Sequence, residues 1–173
     1  MTPRPPEQHN GVDLAAVQEI VDRYRGDPAA GLRPFTARVR WLGGYRTETA
    51  LAGATVVRGD EPTELAGSDT GPSPEDMLLT AVGQCLIVGL VGSASARGIR
   101  LDALGVEVGG VVNLTAAYGV EPGSPGFQRI DILVHLESGA PREQLEELVE
   151  RALELAPIPN TVQRPVPVAA RLA

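Results

Sequence analysis

One stretch, residues 71–98, constrains the fold of this chain more than any other. Ser73 suits the cap of a helix N-terminus, Pro74 suits the first helical position, and two acidic residues follow in the first turn. A long apolar run comes next, and Gly98 suits the position that ends a helix. The stretch therefore predicts a long apolar helix with Cys85 near its centre.

Cys85 is the only cysteine in the chain. A free cysteine usually behaves as a small buried hydrophobe, so an inert core position is the simpler interpretation. The alternative is the floor of a thiol active site, which needs a nearby cation to favour the thiolate. All 15 basic residues are arginine. Lysine chemistry is therefore excluded, and arginine remains as the candidate cation.

The composition limits the other classes of function. With 173 residues, a single domain is expected. The net charge of −7 gives no electrostatic support for binding nucleic acid or an anionic membrane. One cysteine and two histidines cannot make a structural zinc site of four Cys and His ligands. The N-terminus lacks the apolar core of a secretory signal, and the apolar run is too short and interrupted to span a bilayer. We therefore expect a cytoplasmic protein.

The chain divides into a short N-terminal part and a longer main part. Residues 1–11 are rich in proline and polar side chains, which favours a disordered or loose arm. Asp13 then suits the cap of an amphipathic helix over residues 14–25. We expect residues 1–35 to form a tail with an accessory helix, and residues 36–173 to form the main domain.

Several segments of the main domain alternate with the period of a β-strand. Gly43-Gly44 predicts a hairpin turn, and Gly109-Gly110 predicts a bulge or bend inside a strand. The predicted strands cover residues 36–42, 45–51, 54–58, 104–114, 127–137 and 162–172, with a helix over 141–155 and loops over 59–72 and 115–126. Because strands and helices do not alternate regularly, the fold class is α+β with largely antiparallel sheets around the cysteine helix.

Three segments together resemble the OsmC/Ohr superfamily. GPSPEDMLLTAVGQCL is similar to its signature, in which a Pro-Glu helix start is followed ten residues on by a cysteine. RWLGGYRTET resembles its N-terminal hairpin, and the helix that runs into APIPNTVQRPVPV resembles its closing helix and final strand. The similarity covers residues 36–173. It implies an intertwined homodimer with the cysteine helices of both subunits at the centre.

The resemblance also implies an activity. Characterised members reduce organic hydroperoxides with two cysteines, one that attacks the peroxide and one that resolves the oxidised sulfur. Cys85 matches the attacking position, but Ala156 stands at the resolving position. The chain therefore resembles the one-cysteine members with an extra N-terminal helix. A sulfenic acid on Cys85 would need an external thiol as reductant, and no cofactor is implied.

Two charged residues match the family's site. Glu75 matches its helix-start glutamate, and Arg46 is the best match to its N-terminal arginine, with Arg38 and Arg40 as alternatives. Ten residues of helix separate Glu75 from Cys85 by about 15 Å. Glu75 could therefore serve Cys85 only across a dimer, where Arg46 would pair with Glu75 and stabilise the thiolate. The simpler interpretation is a carboxylate favourably placed at a helix N-terminus.

The pocket around Cys85 is expected to admit a small apolar molecule, such as an organic hydroperoxide. Its predicted lining residues are Met77, Leu78, Gln84, Leu86 and Val88. Three hypotheses follow: a one-cysteine thiol peroxidase, a non-catalytic binding or carrier protein, and a fold that serves a partner interaction with Cys85 in its core. Both histidines, His9 and His135, are predicted to lie on the surface.

Overall fold

The structure, a computed structural model, describes residues 8–51 and 55–172. Its regular elements in chain order are β1 (Gln8–His9), β2 (Val12–Asp13), α1 (Leu14–Gly26), β3 (Arg38–Gly43), β4 (Arg46–Ala50), β5 (Val56–Gly59), α2 (Pro74–Ala96), β6 (Ala103–Val112), α3 (Leu114–Ala117), β7 (Phe127–Glu137), α4 (Arg142–Leu155) and α5 (Pro157–Gln163). The predicted α+β class with antiparallel sheets is confirmed. Residues 17–80 form one compact unit, and the other described residues form a second.

The unit of residues 17–80 contains a three-stranded antiparallel sheet in the order β3-β4-β5. The predicted hairpin is present, since Gly43 pairs with Arg46 and both Gly43 and Gly44 have positive φ. The third predicted strand is present from Val56, while its first residue, Ala54, lies outside the described residues. The predicted boundary at residue 35 stays a prediction.

The bounds predicted for the cysteine helix are confirmed in α2. The Ser73 hydroxyl accepts from the Asp76 N–H at 3.1 Å, while the Asp76 carboxylate accepts from the Ser73 N–H at 3.0 Å. This reciprocal pair satisfies two groups at the start of the helix. At the other end, Gly98 has φ +68 and its N–H donates to the Ser95 carbonyl, while the Ile99 N–H donates to that of Ala94. These two bonds make a Schellman motif.

The second unit has its core between α2, α4 and the β6–β7 ribbon. Leu86, Leu90 and Leu148 are at most 1% exposed and form its centre. Strand β7 alternates as predicted, with Ile132 and Val134 packed against this core and His135 on the exposed face. A Cβ atom at Gly83 would lie 3.0 Å from Val108, so this glycine lets α2 approach β6 closely.

Among the described residues, α2 is the one helix long and apolar enough to cross a membrane. Six of its residues are nevertheless buried inside the chain, among them Val82, Leu86 and Leu90. The core helix of a globular protein has the same composition. The predicted cytoplasmic location stays a prediction.

The prediction of a loose arm over residues 1–11 is wrong from residue 8 onward, and residues 1–7 lie outside the described residues. Strands β1 and β2 pair across Asn10 and Gly11, which both have positive φ, as a two-residue hairpin turn requires. The Asn10 side chain donates to the Ile99 carbonyl at 2.9 Å and accepts from the Leu101 N–H at 2.9 Å. The hairpin is thus fixed to the segment that follows α2.

His9 differs from its predicted surface position because it belongs to this hairpin. Its ring is half-buried, and its Nε2 atom is shielded from solvent without a hydrogen-bond partner among the described residues. The helix predicted over residues 14–25 is confirmed as α1, with the Asp13 carboxylate accepting from the Ala16 N–H at 3.1 Å, and its accessory role stays a prediction.

Two predictions in the second half of the chain are wrong. Residues 162–172 form no strand. Val162 lies in the last turn of α5, and residues 164–172 have no regular structure and are exposed. Pro165 and Pro167 lack the N–H groups that a strand ladder uses. The predicted loop over 115–126 contains part of α3, which the Asn113 side chain caps through the Ala116 N–H at 3.1 Å.

The predicted irregularity in the first long strand is displaced. Gly109 and Gly110 pair in register with β7, and the register shifts one step later, between Val111 and Val112. A Cβ atom at Gly110 would lie only 2.6 Å from the Phe127 ring. Glycine is therefore needed at this position because the aromatic side chain lies so close to the backbone.

Candidate functional site

A cavity of about 480 Å³ opens beside Cys85 in the second unit. Two elements form it, the middle of α2 and the joint between α4 and α5. We call it the Cys85 cavity and define it by its lining residues: Ala81, Gln84, Cys85, Val88, Gly89, Ser93, Ala152, Leu155, Ala156, Pro157 and Ile158. Cys85 is itself partly exposed, so its thiol is not sealed in the core.

The local sequence explains why a cavity forms here. At Gly89 a Cβ atom would be 3.8 Å from that of Ala152, so small residues let α2 and α4 pack closely. Helix α4 ends at Leu155, and Ala156 adopts an extended backbone with ψ 115 before Pro157 starts α5. Proline is favoured at a first helical position. The chain therefore bends at Ala156, and the bend stands opposite Cys85.

The cavity contains no charged side chain among the described residues. Gln84, Cys85 and Ser93 supply its polar side-chain atoms, and the other lining residues are apolar or glycine. A cavity of this kind favours an uncharged ligand, since burial of a charge without a partner is costly. It offers Cys85 no cation from its own lining.

The structure separates the predicted lining residues into two groups. Gln84 and Val88 do line the Cys85 cavity, and Val88 is 72% exposed. Leu86 does not, because it is 1% exposed and belongs to the core cluster. Successive residues of a helix point about 100° apart, so Cys85 and Leu86 face different surroundings.

Three further predicted residues belong to the unit of residues 17–80. Met77 and Leu78 are half-buried in the second turn of α2, and the Met77 methyl would lie 2.6 Å from a Cβ atom at Gly59. Glu75 is half-buried in the first turn. The roles predicted for these residues in binding and catalysis stay predictions.

Arg46 is exposed, and its Nε atom donates to the Gly43 carbonyl at 3.3 Å. Within the described part of residues 17–80, no ion pair joins it to Glu75. Of the alternatives, Arg40 donates to the Glu48 carboxylate at 2.6 Å, and this hydrogen bond lowers the pKa of Glu48. Arg40 is thus engaged on the sheet surface, while Arg38 is exposed.

Sequence reasoning missed Asp60. This residue lies in the acidic loop, by which we mean residues 59–72, and is 2% exposed. Its Oδ2 atom accepts from the Ser68 hydroxyl at 2.6 Å and the Thr70 hydroxyl at 2.8 Å, and both backbone N–H groups also donate to it. The hydrogen bond from Ser68 is the largest effect holding the pKa of Asp60 well below its usual range, against the opposing effect of burial.

The neighbouring Glu61 has the opposite character. Burial raises its pKa, and repulsion from Glu75, Asp60 and Asp76 raises it further. Its Oε2 atom is shielded from solvent without a hydrogen-bond partner among the described residues. The acidic loop therefore combines one fully satisfied carboxylate with one that is poorly satisfied.

These features together define a class of protein, in which an α+β fold has a long apolar helix that carries a cysteine at the edge of an apolar cavity. The model of one family, OsmC-like protein, matches residues 67–171, more than half of the chain. The protein belongs to the OsmC-like family, and the resemblance drawn from the sequence is confirmed.

Solved structures share this fold. An OsmC-like protein from Mycoplasma pneumoniae has a TM-score of 0.66 at 17% identity, covering 76% of this chain and 89% of its own. An organic hydroperoxide resistance protein OsmC from Legionella pneumophila has a TM-score of 0.57 at 19% identity, covering 76% and 91%. A further organic hydroperoxide resistance protein, from Elizabethkingia anophelis, has a TM-score of 0.58 at 17% identity, covering 76% and 91%. Comparison with curated proteins finds no match.

Proposed function

We propose that the protein reduces organic hydroperoxides through Cys85 alone, with an external thiol as reductant. The observation that carries the proposal is the partly exposed Cys85 in an apolar cavity of about 480 Å³. An uncharged, largely apolar peroxide suits this lining. Solved proteins that share the fold carry the name organic hydroperoxide resistance protein, which agrees with this assignment.

Reduction of the peroxide and regeneration of the Cys85 thiolate take three steps. The Cys85 thiolate attacks the outer oxygen of the peroxide, the O–O bond breaks, and the alkoxide takes a proton and leaves as the alcohol. This leaves Cys85 as a sulfenic acid. A first external thiol then attacks the Cys85 sulfur, which releases water and forms a mixed disulfide. A second external thiol attacks the external sulfur of this mixed disulfide, so that Cys85 leaves as a thiolate and the two external thiols are joined in a disulfide.

External thiols are needed because the cavity holds no second cysteine. Ala156 stands at the matched resolving position, and the structure places it in the lining of the same cavity as Cys85. A methyl group there leaves the sulfenic acid open to a reductant that enters from solvent.

A homodimer would supply the missing charge. The cavity lining contains no cation, yet a reactive thiol needs one nearby. In this proposal, Arg46 of the partner subunit and Glu75 of the partner subunit approach Cys85, and the arginine stabilises the thiolate and the departing alkoxide.

A second candidate function is a binding or carrier protein for a small apolar molecule. It is favoured by the uncharged lining of the cavity and by Ala156 in place of a resolving cysteine. The two functions share the cavity and differ in whether Cys85 turns over.

A measurement of catalytic peroxide turnover distinguishes the peroxidase from the carrier protein. Purified protein is supplied with cumene hydroperoxide and a dithiol, and peroxide loss is followed in parallel with Cys85→Ser. The proposed function requires catalytic peroxide loss that the Cys85→Ser variant lacks. Peroxide loss no faster than with the dithiol alone, together with binding of an apolar probe, assigns the protein to the carrier class.

A further inference from the structure

Asn160, in the middle of α5, joins that helix to the end of α4. Its Nδ2 atom donates to the carbonyl oxygens of Leu153 at 3.2 Å, Glu154 at 2.9 Å and Ala156 at 2.9 Å. Its backbone N–H also donates to the Ala156 carbonyl, at 3.1 Å. One half-buried amide therefore contacts three carbonyls across the bend.

Among the described residues, the Glu154 carbonyl has this amide as its one hydrogen-bond donor, whereas the other two carbonyls also accept a backbone N–H. The last carbonyls of a helix have no N–H group ahead of them, and Pro157 and Pro159 at the start of α5 cannot donate. The Asn160 amide has two protons for three acceptors, so at least one proton is shared. A side chain without donors would remove the three side-chain bonds and weaken the attachment of α5 to the end of α4.

The bend that Asn160 fastens is one wall of the Cys85 cavity. Four consecutive residues between Glu154 and Asn160 line that cavity, and one of them, Ala156, is itself an acceptor: Leu155, Ala156, Pro157 and Ile158. The opposite wall is the middle of α2. The bonds of Asn160 therefore act on the width of the space in front of the Cys85 sulfur.

We propose that Asn160 is a positioning residue that sets the width of the Cys85 cavity and so limits the size of the molecules that reach Cys85. Asn160 is not one of the residues that line the cavity, so it contacts neither the thiol nor a bound molecule directly. Its effect passes through the four wall residues that its hydrogen bonds hold in place.

Thiol labelling tests the proposal without any turnover. Because Cys85 is the only cysteine, every maleimide adduct reports on this site. The rates of labelling by a small reagent, N-ethylmaleimide, and a bulky one, N-(1-pyrenyl)maleimide, are measured for the native protein and for Asn160→Leu. Gln163→Leu is the matched control, because it also loses an amide side chain, whose Nε2 atom donates within α5 to the Pro159 carbonyl at 3.2 Å, and Pro159 does not line the cavity.

In Asn160→Leu the ratio of bulky to small labelling rates should rise about fivefold or more, since small displacements of a site wall have large kinetic effects. Gln163→Leu should leave the ratio within about twofold of the native value. An unchanged ratio in Asn160→Leu, or the same rise in Gln163→Leu, overturns the proposal. If Asn160→Leu does not melt cooperatively, Asn160→Ser, which keeps one donor, decides by a smaller rise in the same ratio.

This proposal can fail independently of the peroxidase assignment. A protein that consumes no peroxide but shows the size-dependent labelling keeps Asn160 as the residue that sets the cavity. A protein that turns over peroxide with an unchanged labelling ratio loses only the role of Asn160.

Discussion

The acidic loop and the Cys85 cavity differ in almost every polar group that they contain. In the loop, Asp60 accepts five hydrogen bonds, and its neighbour Glu61 is crowded by carboxylates. In the cavity, no lining residue carries a charge. Because of this difference, we expect pH to act on the acidic loop through its carboxylates, and we expect the Cys85 cavity to respond to the size and polarity of side chains and ligands.

The largest expected effect belongs to the buried face of α2. Leu86→Ala should lower the free energy of unfolding by about 3 kcal/mol, because it removes a fully buried side chain and leaves a cavity. Denaturant unfolding at pH 7 and pH 3 should give the same loss at both values. Val88→Ala is the control on the exposed face, with a change within about 0.5 kcal/mol. Equal losses in the two variants would contradict the assignment of the two faces.

Asp60 should give a smaller effect that depends on pH. Its pKa in the folded protein lies below the unfolded value, so its ionised form stabilises the fold above the unfolded pKa. That contribution is lost as pH falls through about 3.9 toward the folded pKa. Asp60→Asn should therefore melt at a lower temperature than the native protein at pH 7, with the difference narrowing at pH 3.

Asp69→Asn is the matched control for this measurement. Asp69 is an exposed carboxylate of the same acidic loop, and its positive φ suits asparagine as well as aspartate. Its melting temperature should follow that of the native protein at both pH values. A difference for Asp60→Asn that stays constant with pH would remove the carboxylate network as the cause.

The smallest effect is expected at Glu61, with the opposite sign. Its pKa is raised in the folded protein, so the ionised side chain weakens the fold at neutral pH and the penalty disappears below about 4.3, the unfolded pKa. Glu61→Gln should stabilise the protein at pH 7 by about 1 kcal/mol or less, and should give no gain at pH 3. Thermal melts of Glu61→Gln beside the exposed Glu64→Gln check this, and a gain of equal size in both would contradict it.

Local signals made the ends of the cysteine helix predictable. The roles of Ser73 and Gly98 depend on residues within one or two turns, so the sequence carries them in full. The alternation of β7 was equally readable, because one face of the strand packs on the core and the other is exposed. The family followed from the order and spacing of three such segments.

The faces of α2 were not predictable in the same way. A helix that is apolar on all sides has no periodicity to tell a core residue from a cavity residue. Leu86 was therefore expected beside Cys85 in the pocket, although the packing of α4 places it in the core. Gln84 and Val88 line the cavity, but no pattern in the sequence separates them from Leu86.

Two asparagines and an aspartate were missed for a different reason. Asn10, Asp60 and Asn160 act by hydrogen bonds whose partners are known only from the folded chain. Asn10 bonds residues about 90 positions away. The Asn-Gly pair at residues 10–11 was a signal for a hairpin turn, but the proline-rich composition around it favoured a loose arm. Such polar residues carry no hydrophobic period that would mark them.

The central claim is that Cys85 is a reactive thiol in its cavity, and its oxidation by a single equivalent of peroxide tests this most directly. The reduced protein is mixed with one equivalent of cumene hydroperoxide in the presence of dimedone. After proteolysis, the mass of the peptide that carries Cys85 is measured by mass spectrometry. We predict a dimedone adduct on Cys85, and in Ala156→Cys a disulfide between Cys85 and the introduced cysteine instead. A Cys85 that remains a free thiol in both proteins, while the peroxide persists, would contradict the account.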